Sequence, residues 1–249
     1  MRFFWSCVLS QILTFTSIAQ VISVESLPPV VNKASLTNFN PTFSEKNKML
    51  CFIERRGKKE SIMVSHFSEA GTWSNPHLAF TSEKASLWTV SINSNGSRIY
   101  FDWKNDIYFI DYLGGSSWSI PIKVQFPVST EWSEHSPSTS VKDDIIYFAR
   151  LVRDSTDWAR RIFYSKKELS WSSPRELALQ GIKPEHQHFD FSVSTNGNSC
   201  LLSLSDEIKV VAHNYFGLRR DSAFTDFQEI DFSGGRITWI SDDYSFGYG

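Results

Sequence analysis

Residues 193–202 read Val193-Ser194-Thr195-Asn196-Gly197-Asn198-Ser199-Cys200-Leu201-Leu202. A Ser-rich tight turn leads straight into an apolar strand. The same order recurs at Phe43-Ser44-Glu45-Lys46-Asn47-Lys48-Met49-Leu50-Cys51-Phe52 and at Ile92-Asn93-Ser94-Asn95-Gly96-Ser97-Arg98-Ile99-Tyr100-Phe101. It recurs again at Thr139-Ser140-Val141-Lys142-Asp143-Asp144-Ile145-Ile146-Tyr147-Phe148, and a fifth copy begins at Ile240-Ser241-Asp242-Asp243. The complete copies end at positions 52, 101, 148 and 202, spacings of 49, 47 and 54 residues. Asn95-Gly96 and Asn196-Gly197 supply residues that tolerate positive φ, as a short β-turn requires.

Each copy continues into a third strand: Ile62-Met63-Val64, Ile107-Tyr108-Phe109-Ile110, Ile162-Phe163-Tyr164 and Ile208-Lys209-Val210-Val211. Three copies then close with Trp-Ser-x-Pro, at Trp73-Ser74-Asn75-Pro76, Trp118-Ser119-Ile120-Pro121 and Trp171-Ser172-Ser173-Pro174. Proline lacks an N–H and suits an edge strand or its exit. The Trp before it is placed to cover the face of a neighbouring sheet. The fourth copy has Phe224 to Ile230 in that place. Four strands per repeat of this length predict an all-β propeller of four-stranded blades. Four blades are complete and a fifth is partial. Two closures are open: a five-bladed ring completed by an N-terminal strand (Val21-Ile22-Ser23-Val24 or Pro29-Val30-Val31), or a six-bladed propeller that is truncated.

Composition agrees. The 249 residues carry 25 basic and 27 acidic side chains, a net charge of −2, with no basic excess to suggest nucleic acid. Of these residues 15% are aromatic, and 38 Ser stand against 10 Ala, which favours strands and turns over helices. Arg2 followed by the uncharged run Phe3–Ala19 reads as a signal peptide over residues 1–19, with cleavage after Ala19. An uncleaved anchor is the rival reading, though Ser6, Ser10, Gln11, Thr14, Thr16 and Ser17 dilute the run. Residues 20–38 then form an N-terminal segment and residues 39–249 the propeller. No membrane span is expected after signal removal. Cys51 and Cys200 lie inside apolar strands and read as buried free thiols.

The repeats resemble the TolB-like, WD-repeat-like propeller repeats of exported bacterial proteins. The resemblance rests on Asn93-Ser94-Asn95-Gly96, Ser194-Thr195-Asn196-Gly197, Gly71-Thr72-Trp73-Ser74-Asn75-Pro76 and Glu134-His135-Ser136-Pro137-Ser138, in fixed phase over residues 39 to 249. It implies a periplasmic or secreted protein.

Aligning the repeats puts Phe39, Trp88, His135, Phe189 and Arg236 at one level of the channel mouth, where the innermost strands begin. Asn38, Leu87, Glu134, His188 and Gly235 lie before that level, and Asn40, Thr89, Ser136, Asp190 and Ile237 after it. An aromatic mouth with a few polar groups has the composition of a ligand or peptide site. The candidate binding residues are Trp88, Glu134, His135, His188, Asp190 and Arg236. In His186-Gln187-His188-Phe189-Asp190, alternate residues share a strand face and could converge with His135 and Glu134 on a zinc-like ion. Polar loop histidines are far commoner, so no metal, cofactor or catalytic residue is assigned. A Gly-x-Ser-x-Gly elbow, a Walker motif and HExxH are all missing from the sequence. The expected function is non-catalytic binding of a protein, peptide or glycan. The alternative is a hydrolase or lyase acting on glycans through Glu134, His135, His188 and Asp190.

Overall fold

The computed structural model describes residues 27–33, 36–83, 86–140, 142–154, 157–183, 187–194, 196–205, 212–230, 239–240 and 247–248. Among them every regular element is a strand. Each blade is an antiparallel meander running outward from the channel. The first blade is β1 (Thr37–Ser44), β2 (Met49–Arg56), β3 (Lys59–His66) and β4 (His77–Ser82). The second is β5 (Leu87–Ile92), β6 (Arg98–Trp103) and β7 (Asp106–Gly114), with β8 (Ser117–Trp118) and β9 (Ile122–Lys123) both pairing β7. The third is β10 (Glu134–Thr139), β11 (Ile145–Asp154), β12 (Asp157–Lys166) and β13 (Arg175–Glu176). The fourth is β14 (Gln187–Val193), β15 (Ser199–Ser205), β16 (Ala212–Arg220) and β17 (Ala223–Ile230). The four sheets form a β-propeller. Where the sequence places the fifth copy, β18 (Trp239–Ile240) pairs β19 (Gly247–Tyr248), and β18 lies beside β1.

The second strand of each blade explains the core. Its side chains alternate between two faces, and each face meets a different layer. Met49, Cys51 and Ile53 enter the cluster shared with the second blade, while Leu50 and Phe52 point to the other side. Ile99 and Phe101 return into that shared cluster, and Tyr100 joins Ile146 and Phe148 between the second and third blades. Tyr147 and Ala149 meet Cys200, Leu202 and Leu204 between the third and fourth. These strands therefore read as continuous apolar runs because both faces are covered. Each fully buried Leu, Ile or Phe contributes on the order of 2 kcal/mol.

The outer face of the first blade is covered by the N-terminal segment. Leu27, Val30 and Val31 pack with Phe43, Leu50, Phe52, Met63 and Trp73. Pro29-Val30-Val31 is a turn there, with the Val31 and Asn32 N–H groups both donating to the Pro28 carbonyl. The other stretch considered as a closing strand, residues 21–24, lies outside the described residues.

The Trp-Ser-x-Pro motif has one structural role in three blades. The Ser74, Ser119 and Ser172 hydroxyls accept the His66, Asp111 and Lys166 N–H groups at 2.9, 2.9 and 3.1 Å. Each serine thus pins the chain to the end of the third strand. Trp73, Trp118 and Trp171 lie against the cluster on the face away from the next blade in sequence.

Polar groups stitch the blade rims. Ser44 Oγ donates to the Ser94 carbonyl at 2.7 Å, Glu60 accepts the Leu87 N–H at 2.6 Å, and Ser138 accepts the Val193 N–H at 3.1 Å. Cys51 and Cys200 are buried free thiols, as expected, and burial raises both thiol pKa values.

At the edge of the first blade, His66 and His77 stack at 5.5 Å between ring centroids. Burial lowers both pKa values, and for His77 the neighbouring His66 lowers it further. The unfolded chain therefore takes up these protons first as pH falls below about 6.5. Stability from the pair is present above that value and is lost as pH falls through the folded values. The drop in melting temperature between about pH 7.5 and pH 5.5 should be smaller in His77→Phe than in the parent, read by circular dichroism. An equal drop would show that the pair does not titrate with unfolding.

Candidate functional site

Each innermost strand carries a register shift near its start: Phe39/Thr42, Leu87/Val90, His135/Ser138 and His188/Asp190. A bulge bends the strand and re-aims its side chains. Asn40 and Ser136 occupy this position with φ of 50° and 51°. The shifts fall on the levels that the repeat alignment placed at the channel mouth.

Asp102, at the end of β6, organises this mouth. Its side chain is 1% exposed. Oδ1 accepts the Trp88 N–H at 2.9 Å and the Thr89 N–H at 2.7 Å. Oδ2 lies 3.0 Å from Nδ1 of His135 in the next blade. An ionised carboxylate only accepts, so Nδ1 carries the proton. In the neutral ring Nε2 then accepts from Ser133 Oγ, 2.6 Å away. The Trp88 carbonyl accepts from the Asn40 amide of the first blade.

The Trp88 backbone is thus held on both sides, while its side chain is left 62% exposed. It lines a cleft of about 300 Å³ together with Ser86, Asp102, Trp103, Lys104, Asn105 and His135. Trp103 is fixed by an Nε1–H bond to Ser82 Oγ at 3.0 Å and by edge contacts with Phe80 and Tyr108. The Lys104 ammonium sits 3.8 Å above its ring.

The other candidates are placed differently. Glu134 is fully buried and pairs with Arg150 at 3.0 Å. Its carboxylate also accepts from the Thr130 hydroxyl at 2.5 Å and the Thr130 N–H at 3.2 Å. Arg150 donates onward to the Pro127 and Val128 carbonyls. Burial pushes the Glu134 carboxyl above its ordinary range, against the pull of Thr130 and Arg150. This pair anchors the loop that precedes β10. Asp190 is buried and accepts from Ser136 Oγ at 2.6 Å, tying the third blade to the fourth. His188 lies on β14, but its side chain, like all of His186 and Arg236, lies outside the described residues. Among the described residues no cluster of three His, Cys, Asp or Glu is placed to hold a metal.

The sequence reading missed Asp102, Ser133 and Trp103. Ser133 and His135 stand two apart in the chain, the spacing of one strand face, although β10 begins only at Glu134. The third member comes from another blade and carried no such signal.

No protein-family model matches the chain, and no curated protein sequence matches it. Among solved structures it is similar to TolB from Acinetobacter baumannii, with a TM-score of 0.57 and 11% identity over 84% of this chain and 47% of that one. It is also similar to an α-L-arabinanase of Penicillium chrysogenum complexed with arabinobiose, with a TM-score of 0.51 and 10% identity over 83% of this chain and 69% of that one. The likeness is one of fold. The chain spans about half the length of the TolB structure.

Asp102→Ala would leave the buried Thr89 N–H, the partly buried Trp88 N–H and the His135 ring without their acceptor. It should cost about 3 kcal/mol, measured by urea denaturation. A loss under about 1 kcal/mol would mean that the mouth is not held by this carboxylate.

Proposed function

We propose that this protein is an exported, non-catalytic binding module whose channel mouth recognises a protein, peptide or glycan partner. The observation that carries the reading is Trp88. A large indole left in water on a strand whose backbone is held from both sides is a preorganised contact surface. Polar groups converge beside it in a cleft of small-ligand size. Export rests on the uncharged Phe3–Ala19 run after Arg2, and among the described residues no helix is long and apolar enough to cross a membrane. The glycan hydrolase or lyase reading draws little from Glu134 and Asp190, whose carboxylates are buried and hydrogen-bonded inside the ring.

The Ser133–His135–Asp102 row supports a second reading, a hydrolytic one. Its spacing is that of a serine nucleophile, its base and the group that orients the base. The same atoms also clasp the second blade to the third, which is reason enough for their arrangement.

Two measurements test these readings. A ligand found by thermal-shift screening of residues 20–249 should stabilise the parent and Lys142→Ala, a change at the opposite rim, but not Trp88→Ala. Loss in Lys142→Ala with retention in Trp88→Ala would move the site away from the mouth. For the second reading, a fluorophosphonate would react by attack of Ser133 Oγ on phosphorus, with fluoride leaving and the proton passing to His135 Nε2. An adduct in the parent that is missing in Ser133→Ala would make the row a nucleophile. The binding reading expects no adduct.

A further inference from the structure

We propose that the cleft beside Trp88 binds a saccharide, with a pyranose ring lying on the Trp88 indole and its hydroxyls bonded by Asn105, Ser86 and Lys104. The inference rests on the reading of the mouth as a binding face and names the ligand class.

The groups that the mouth has left to offer decide the ligand class. A peptide docking as an added strand would need main-chain donors and acceptors. At the mouth of β5 three of these are occupied. The Trp88 and Thr89 N–H groups both donate to Asp102, and the Trp88 carbonyl accepts from Asn40. The register shift at Leu87/Val90 interrupts the ladder at the same place. Side chains remain. Trp88, Lys104, Asn105 and Ser86 are all exposed.

Their chemistry matches a sugar. The indole presents a flat, polarisable, electron-rich face, which suits the slightly positive C–H face of a pyranose. The Asn105 amide offers both donors and an acceptor, the Ser86 hydroxyl offers both roles, and Lys104 donates, so the set can meet hydroxyls in either sense. Asn105 and Lys104 form the tight turn between β6 and β7, with φ of 65° and 55°, so their side chains rise from a short, well-defined support. Trp103 walls the cleft and is fixed through Ser82. About 300 Å³ is at the small end of ligand pockets and suits one or two sugar rings. Lys104 is the one cation among the described lining residues, and the Asp102 carboxylate is already committed to the backbone and His135. A neutral saccharide therefore fits better than a polyanion.

Binding is tested by saturation-transfer NMR and calorimetry on residues 20–249 with cello-, xylo-, malto- and chitohexaose. A phage-displayed random peptide library is run in parallel. At least one hexaose should bind, with affinity lowered on the order of tenfold in Trp88→Ala, lowered in Asn105→Ala and unchanged in Lys142→Ala. Trp88→Ala should keep a cooperative melt, because the side chain it removes is mostly in solvent. If no hexaose binds but a selected peptide does, and Trp88→Ala abolishes it, the saccharide inference fails while the mouth remains a binding face. Failure of every hexaose and peptide, or hexaose binding indifferent to Trp88→Ala, would overturn both.

Discussion

Everything in this molecule depends on a strand that is buried on both faces. The second strand of each of the first three blades sends alternate side chains into two different apolar layers. Leu50 and Cys51, or Tyr147 and Phe148, are neighbours in the chain but belong to separate clusters. No single blade can satisfy such a strand, so a blade is stable only between covers. On the first blade the outer cover comes from Leu27, Val30 and Val31, outside the repeats.

Close stacking of apolar layers brings the polar rims together, and their charges and backbone groups must find partners there. The solution repeats with variation. Glu60 reaches Leu87, Asp102 reaches His135, and Ser136 reaches Asp190, each joining one blade to the next. Carboxylates used in this way are structural. Among the polar candidates this separates Glu134, locked on Arg150, from His135, which lines the cleft.

Much of this architecture was legible in the sequence. The Asn-Gly turns, the apolar second strands and the Trp-Ser-x-Pro ends obey rules that act within one repeat, so period and burial could be read from neighbours in the chain. The mouth was legible only in part. Aligning repeats put Trp88 and His135 at the right level, because the level follows from the period. The partners of His135 did not follow, since Asp102 sits 33 positions away in another blade and is brought in only by stacking. Glu134 precedes that level by one residue and is buried against Arg150. Its Arg150 partner lies across β10 and β11, and nothing local reveals that the pair would be sealed under the preceding loop. Pro29-Val30-Val31 has strand-like composition but turns, because Pro28 offers its carbonyl to two successive N–H groups.

Cys51 and Cys200 lie in different interblade clusters, each sealed by a neighbouring blade. They cannot meet without the blades parting, so oxidation has no bridge to form between these two thiols in the folded state. Each sulfur becomes available only when its own layer opens. The two thiols are in effect separate clocks, one for the seam between the first and second blades and one for that between the third and fourth. The pace of their alkylation would tell which of the two seams comes apart first.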